Sequence, residues 1–186
     1  MTSRTSAALI AVSLLLASCS SVAEPVSGRV PGAELPSSSG VLVLLVDDSL
    51  DAFGEPVPFS GDALQAILRS NFIGRGWDVF SADTGSRVAG AERARQLGLD
   101  YFVEGEFLVW NEATIKFQGD PDRTEIALRL RRTSDGELVA YARGEKRGGT
   151  LSDVDRRTPR LLAPLVEELL EGMLDGAVLE SVPADD

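Results

Sequence analysis

Val41-Leu42-Val43-Leu44-Leu45-Val46 is a run of six apolar residues with no polar residue between them. Strands with one wet face alternate, so an unbroken short run suits a strand buried on both faces, at the centre of a helix-covered sheet. On its carboxyl side comes a Pro- and Gly-containing loop, Asp47–Phe59. Ser60-Gly61-Asp62 then offers a helix start, with Leu64, Ile67, Leu68 and Phe72 at helical spacing and Gly74 and Gly76 as a stop. Trp77–Ser81 reads as a second strand, and Arg87–Leu97 as an Ala/Arg-rich helix closed by Gly98.

Farther along, Asp100–Phe117 contains a long strand that starts at Tyr101-Phe102-Val103 and runs through Val109-Trp110. Gly119-Asp120-Pro121-Asp122 is turn chemistry. Arg123–Arg132 returns as a strand, alternating Ile126, Leu128 and Leu130 against Glu125, Arg129 and Arg131. Ser134-Asp135-Gly136-Glu137 is a hairpin turn into Leu138–Arg147. Thr158-Pro159 opens a last helix whose stripe, Leu161, Leu162, Leu165, Val166, Leu169, Leu170, Met173 and Leu174, ends at Gly176. Such a stripe is more often core than partner surface. The predicted fold class is α/β (α+β), a single mixed sheet in the order β-α-β-α-β-β-β-α. It begins with parallel crossovers, ends in an antiparallel meander and is covered by helices. The predicted globular domain spans residues 41–176.

Upstream, residues 1–19 read MTSRTSAALIAVSLLLASC. One Arg in a polar start, an apolar run over Ala7–Leu16 and then small residues are the layout of a secretory signal peptide. The run is shorter than the ~20 residues that span a bilayer. Leu16-Ala17-Ser18-Cys19 resembles the bacterial lipobox, and the resemblance implies acylation of the Cys19 thiol with cleavage before it, leaving residues 1–18 behind. Cys19 is the sole cysteine. By resemblance to Gram-negative lipoproteins, Ser20 after it implies sorting to the outer membrane, facing the periplasm. Residues 20–40, rich in Ser, Pro and Gly, read with Cys19 as a flexible tether, and 177–186 as an acidic tail.

Composition narrows the chemistry. With 186 residues, 44% of them hydrophobic, the chain can bury one real core. A net charge of -11, with no compensating Lys/Arg cluster, argues against nucleic acid as a partner. No histidine is present, which removes the commonest metal ligand and the usual general base near neutral pH. No cofactor and no metal are expected.

Trp110, then eight residues, then Gly119-x-Pro121-Asp122-Arg123, resembles a signature in a domain-of-unknown-function family of small Gram-negative envelope lipoproteins. Asn111-Glu112-Ala113 and Phe117 depart from that family, which prefers two acids and an arginine at the first place and a Trp at the second. The element order is also similar to the fold of the TolB amino-terminal domain, CsgG and the penicillin-binding-protein activator LpoB, an analogy of fold and not of function. Gly119 and Pro121 suit a turn, Asp122 and Arg123 could pair across it, and Trp110 and Phe117 could be core. Alternatively Trp110, Phe117, Asp122 and Arg123 form a binding site at a sheet end, since exposed aromatic and Arg side chains make hot spots.

An enzymatic reading would recruit Glu104, Glu106, Glu112, Asp120 and Asp122, with Glu104 and Glu106 on one strand face by the two-residue period. A solvated strand face is the stronger reading of that pair. Asp47-Asp48, beyond the first strand, stands where α/β sheets place ligands, but two acids in a loop are weak evidence for a cation. The sequence therefore points to a membrane-anchored, non-catalytic envelope domain that binds a protein or wall component. The alternative is an oligomerising subunit of an envelope assembly or secretion system, and the composition leaves its oligomeric state open.

Overall fold

A computed structural model describes residues 25–36, 38–111, 122–148, 158–176 and 178–180. The first half of the apolar run forms a strand, β2 (Gly40–Val43), with Val41, Leu42 and Val43 wholly buried, while Leu44–Val46 continue beyond it outside the strand. β2 lies between two parallel neighbours, β3 (Asp78–Ser81) and β4 (Tyr101–Asn111). From β4 the sheet continues antiparallel through β5 (Arg123–Arg132) and β6 (Leu138–Arg147). The result is one open, mixed six-stranded sheet in the order β1-β6-β5-β4-β2-β3, with three helices among the described residues.

The helices divide unequally between the faces. α1 (Ser60–Gly74) and α3 (Thr158–Asp175) cover one face. Leu64, Leu68 and Phe72 of α1 meet Leu162, Leu165, Val166, Leu169, Leu170 and Met173 of α3 over Ile126, Leu128 and Leu130. Each of these apolar side chains stabilises the fold by about 1.5–3 kcal/mol. α2 (Arg87–Gln96) lies on the other face, where Ala91 and Ala94 close a small second core with Leu42, Leu44 and Phe102. A Cβ at Gly90 would strike Leu44, so glycine sets how closely α2 approaches.

Local chemistry places α1 as well. Its preceding residue, Phe59, is left-handed (φ 67) and gives no side-chain cap. The Asp48 carboxylate does that work from outside the helix, accepting from the Gly61 amide at 2.9 Å and the Phe59 amide at 3.3 Å. A carboxylate there also meets the positive end of the helix dipole.

Two readings of the termini need correction. Within the stretch read as flexible tether, Val26–Arg29 forms an edge strand, β1, paired antiparallel with β6 from Val26↔Arg143 to Arg29↔Ala140. Val-Ser-Gly-Arg holds one bulky apolar residue, so no period betrays it. Long-range pairing and the close seat of Ser27 against Gly172 of α3 hold it instead. Within the stretch read as acidic tail, Val178 bridges Arg29, and the Leu179 amide donates to the Arg29 carbonyl at 2.9 Å. Cys19, the signal segment and residues 181–186 lie outside the described residues.

Candidate functional site

Of the proposed binding residues, Trp110, Asp122 and Arg123 fall at the end of the β4–β5–β6 meander, with Trp110 and Arg123 on opposite faces of the sheet. Trp110 is only 4% exposed and packs edge-on against Phe107, ring centroids 5.3 Å apart. A register shift between Phe107 and Val109 puts both rings on the helix-covered face. Trp110 is therefore core, opposite the fully buried Thr124. Asp122 and Arg123 stand at the sheet end, where the Gly148 amide donates to the Asp122 carbonyl at 2.7 Å. Phe117, Glu112 and Asp120 lie outside the described residues.

Arg123 belongs to a lattice of charge on the face that α2 leaves open. Period-two alternation directs Glu104 and Glu106 of β4, Glu125, Arg129 and Arg131 of β5, and Arg143, Glu145 and Arg147 of β6 to that side. The register sets like beside like: Glu125 opposite Glu145, and Arg123 opposite Arg147. Direct like-charge pairs destabilise a sheet. Diagonal and same-strand pairing resolves the conflict. Arg123 Nη2 reaches Glu145 at 2.6 Å and Glu125 at 3.0 Å, Arg143 reaches Glu125 at 2.6 Å, and Arg147 pairs with Glu145. Farther along, Arg131 meets Glu104 at 2.6 Å and Arg129 meets Glu106 at 2.7 Å. Arg129 also lies 5.9 Å from the Tyr141 ring centre.

The lattice is layered. The side chains of Glu125 and Glu145 are 10% and 4% exposed, beneath Arg143 at 54%. Burial raises the Glu145 carboxyl, but hydrogen bonds and charge from Arg147 and Arg123 outweigh it and hold its pKa below the ordinary value. The Arg143 guanidinium is raised, chiefly by its hydrogen bonds to Glu125.

This arrangement bears on the other candidates. Glu104 and Glu106 do share a face, but each carboxylate is matched by its own arginine, which is ion-pair geometry and not a proton-sharing dyad. Asp48 is occupied in holding the start of α1. Among the described residues, no three acidic, Cys or His side chains converge as a metal site. A groove of about 480 Å³ lies between α2 and the β5–β6 turn, with Phe102 in its wall and Arg87, Arg131, Asp135 and Glu137 of both signs around it. The sequence reading missed the roles of Glu125, Arg143, Glu145 and Arg147. Their period-two spacing in two consecutive strands is the signal that could have found them.

No helix among the described residues is long and apolar enough to cross a membrane. No family model matches the sequence, and no curated protein matches it. Solved structures do resemble it. The dodecameric PelC from Paraburkholderia phytofirmans, in a form carrying one Leu-to-Met substitution, superposes with a TM-score of 0.55 at 21% identity over 78% of this chain and 97% of that one. A second PelC dodecamer from the same organism gives 0.54 over the same shares, also at 21% identity. Lipoprotein GNA1162 from Neisseria meningitidis gives 0.46 at 15% identity, over 72% of this chain and 96% of that one. At these identities the PelC likeness establishes a common fold.

Proposed function

We propose that this chain is a lipid-anchored, non-catalytic domain of the Gram-negative envelope. It is held by acyl chains on Cys19 at the periplasmic side of the outer membrane and engages another protein or wall component. The observation that carries the anchor is Leu16-Ala17-Ser18-Cys19, which sets the sole cysteine directly after a short apolar run and small residues. Two or three acyl chains give durable attachment, at roughly 0.8 kcal/mol per buried methylene, where one chain would not. The non-catalytic reading rests on the carboxylates of the open sheet face, which are neutralised by arginines. For the contact, Asp122 and Arg123 stand at the sheet end, Phe117 lies outside the described residues, and Trp110, in the core on the other face, would support the site only from within. Intact mass and membrane fractionation of wild type against Cys19→Ala test the anchor. A lipid-heavy mature protein in the outer membrane, lost in the variant, is expected; an unmodified soluble wild type overturns it.

A self-assembling subunit is the second reading, favoured by the match over 97% of a PelC chain that was solved as a dodecamer. Light scattering on the mature chain separates the two. A mass of many chains supports assembly, and a monomer at high concentration removes it.

A further inference from the structure

We propose that the loop Asp47–Phe59 is a second membrane contact, seating Leu50, Phe53 and Phe59 in the headgroup region of a zwitterionic bilayer beside the acylated amino terminus. The proposal rests on the reading of Cys19 as the anchor.

Exposure is the first ground. Leu50, Phe53 and Phe59 are 57%, 81% and 75% exposed and lie within ten residues of one another. The other exposed large apolar side chains are spread over strands, helices and the carboxyl-terminal segment. The loop is also built. The Asp51 carboxylate accepts from the Phe53 amide at 2.8 Å and the Glu55 amide at 3.0 Å. Leu50 bridges Pro56, the Val57 amide donates to the Ser49 carbonyl at 2.8 Å, and the Ser60 hydroxyl accepts from the Ser49 amide at 2.8 Å. Phe59 has φ 67, the one non-glycine positive φ among the described residues. A bulky residue disfavours that conformation, and strain of this kind is found where function holds a residue in place.

Topology is the second ground. β2 and β4 run parallel, so the loop after β2 and the end of β4 lie at the same end of the sheet. β5 runs against β4, β6 against β5, and β1 against β6. β1 therefore enters from that same end, and the chain from Cys19 must arrive there. Seven residue steps separate Cys19 from Val26. At 3.3–3.6 Å each they reach at most about 25 Å, so an acylated Cys19 holds this end of the sheet towards the bilayer. Exposed Phe and Leu side chains on a surface that meets a membrane bury at the boundary of headgroups and acyl chains.

Charge selects the lipid. No Lys or Arg occurs between Arg29 and Arg69, so the loop offers nothing to anionic headgroups. Of its acids, Asp48 and Asp51 are turned onto backbone amides, which leaves Asp47 and Glu55 facing water. Neutral, zwitterionic headgroups fit that surface.

The test is depth-dependent quenching of a reporter tryptophan, with the mature full chain in phosphatidylcholine vesicles whose acyl chains are brominated. Phe53→Trp probes the loop. Ile73→Trp is the control, exposed at the other end of α1, about 20 Å away by the helical rise. Both sites are exposed, so the fold tolerates either change, and native Trp77 and Trp110 are buried and give a common background. Phe53→Trp emission is expected to shift to the blue and to be quenched several-fold more than Ile73→Trp. Equal, water-like emission from both overturns the proposal. Intact mass on the same samples keeps the anchor separate. If no acyl chain is found, quenching at Phe53→Trp on added vesicles still supports the loop contact, and its absence there overturns it.

Discussion

The two faces of the sheet are made from the same strands and stabilised in different ways. On one face Ile126, Leu128 and Leu130 lie under α1 and α3, dry and close-packed. On the other, the intervening residues Glu125, Arg129 and Arg131 join a lattice of ion pairs that α2 covers only towards β2 and β4. Apolar burial is non-directional and tolerates small shifts, whereas the lattice depends on register. One residue of slip between β5 and β6 would turn every side chain of the slipped strand to the opposite face. The apolar face therefore supplies most of the stability, and the charged face makes one pairing of the meander better than its neighbours.

The largest effect should come from the apolar face. Leu169 is fully buried in α3, against a sheet that approaches closely because residue 144 is glycine. Leu169→Ala removes its transfer energy and leaves a cavity, so a loss of about 2–5 kcal/mol is expected in urea unfolding. The charged face should come second. Glu125→Ala takes the acceptor from both Arg143 and Arg123, for an expected loss of about 1–3 kcal/mol, discounted because Arg143 is open to solvent. If Glu125→Ala cost as much as Leu169→Ala, the lattice would carry the fold as fully as the core does, and the contrast would fail.

How much of this was legible follows the same division. The unbroken run 41–46 announced a central strand, and the stripe Leu161–Leu174 announced a covering helix, because burial on such a scale leaves a period in the chain. The helix is where that physics puts it, and the strand is interior and buried on both faces, though it takes up only 41–43 of the run and stands one place in from the sheet edge. Glu104 and Glu106 were correctly placed on one face, but their arginine partners depend on cross-strand register, which no single segment contains. β1 was missed for a related reason: four residues with one large apolar side chain carry no period, and β6 and Gly172 determine the pairing. Trp110 was undecidable between core and hot spot, because the register shift at Phe107/Val109 decides which face it meets.

The smallest and most specific effect should appear in acid. The Glu145 pKa lies below its ordinary 4.5, held there by Arg147 and Arg123 against the cost of burial. For a carboxyl depressed in the folded state, the stabilisation is fully present above the unfolded pKa and is lost as pH falls through the folded one. Wild type should therefore lose stability below about pH 4.5, and Glu145→Gln, which cannot titrate, should lose less over that interval. The difference in melting temperature between the two should be widest near neutrality and should narrow as the pH falls. A gap that stays constant with pH would mean that Glu145 contributes by packing alone. The charged face would then be held by geometry without its charge, and the contrast with the apolar face would be one of shape only.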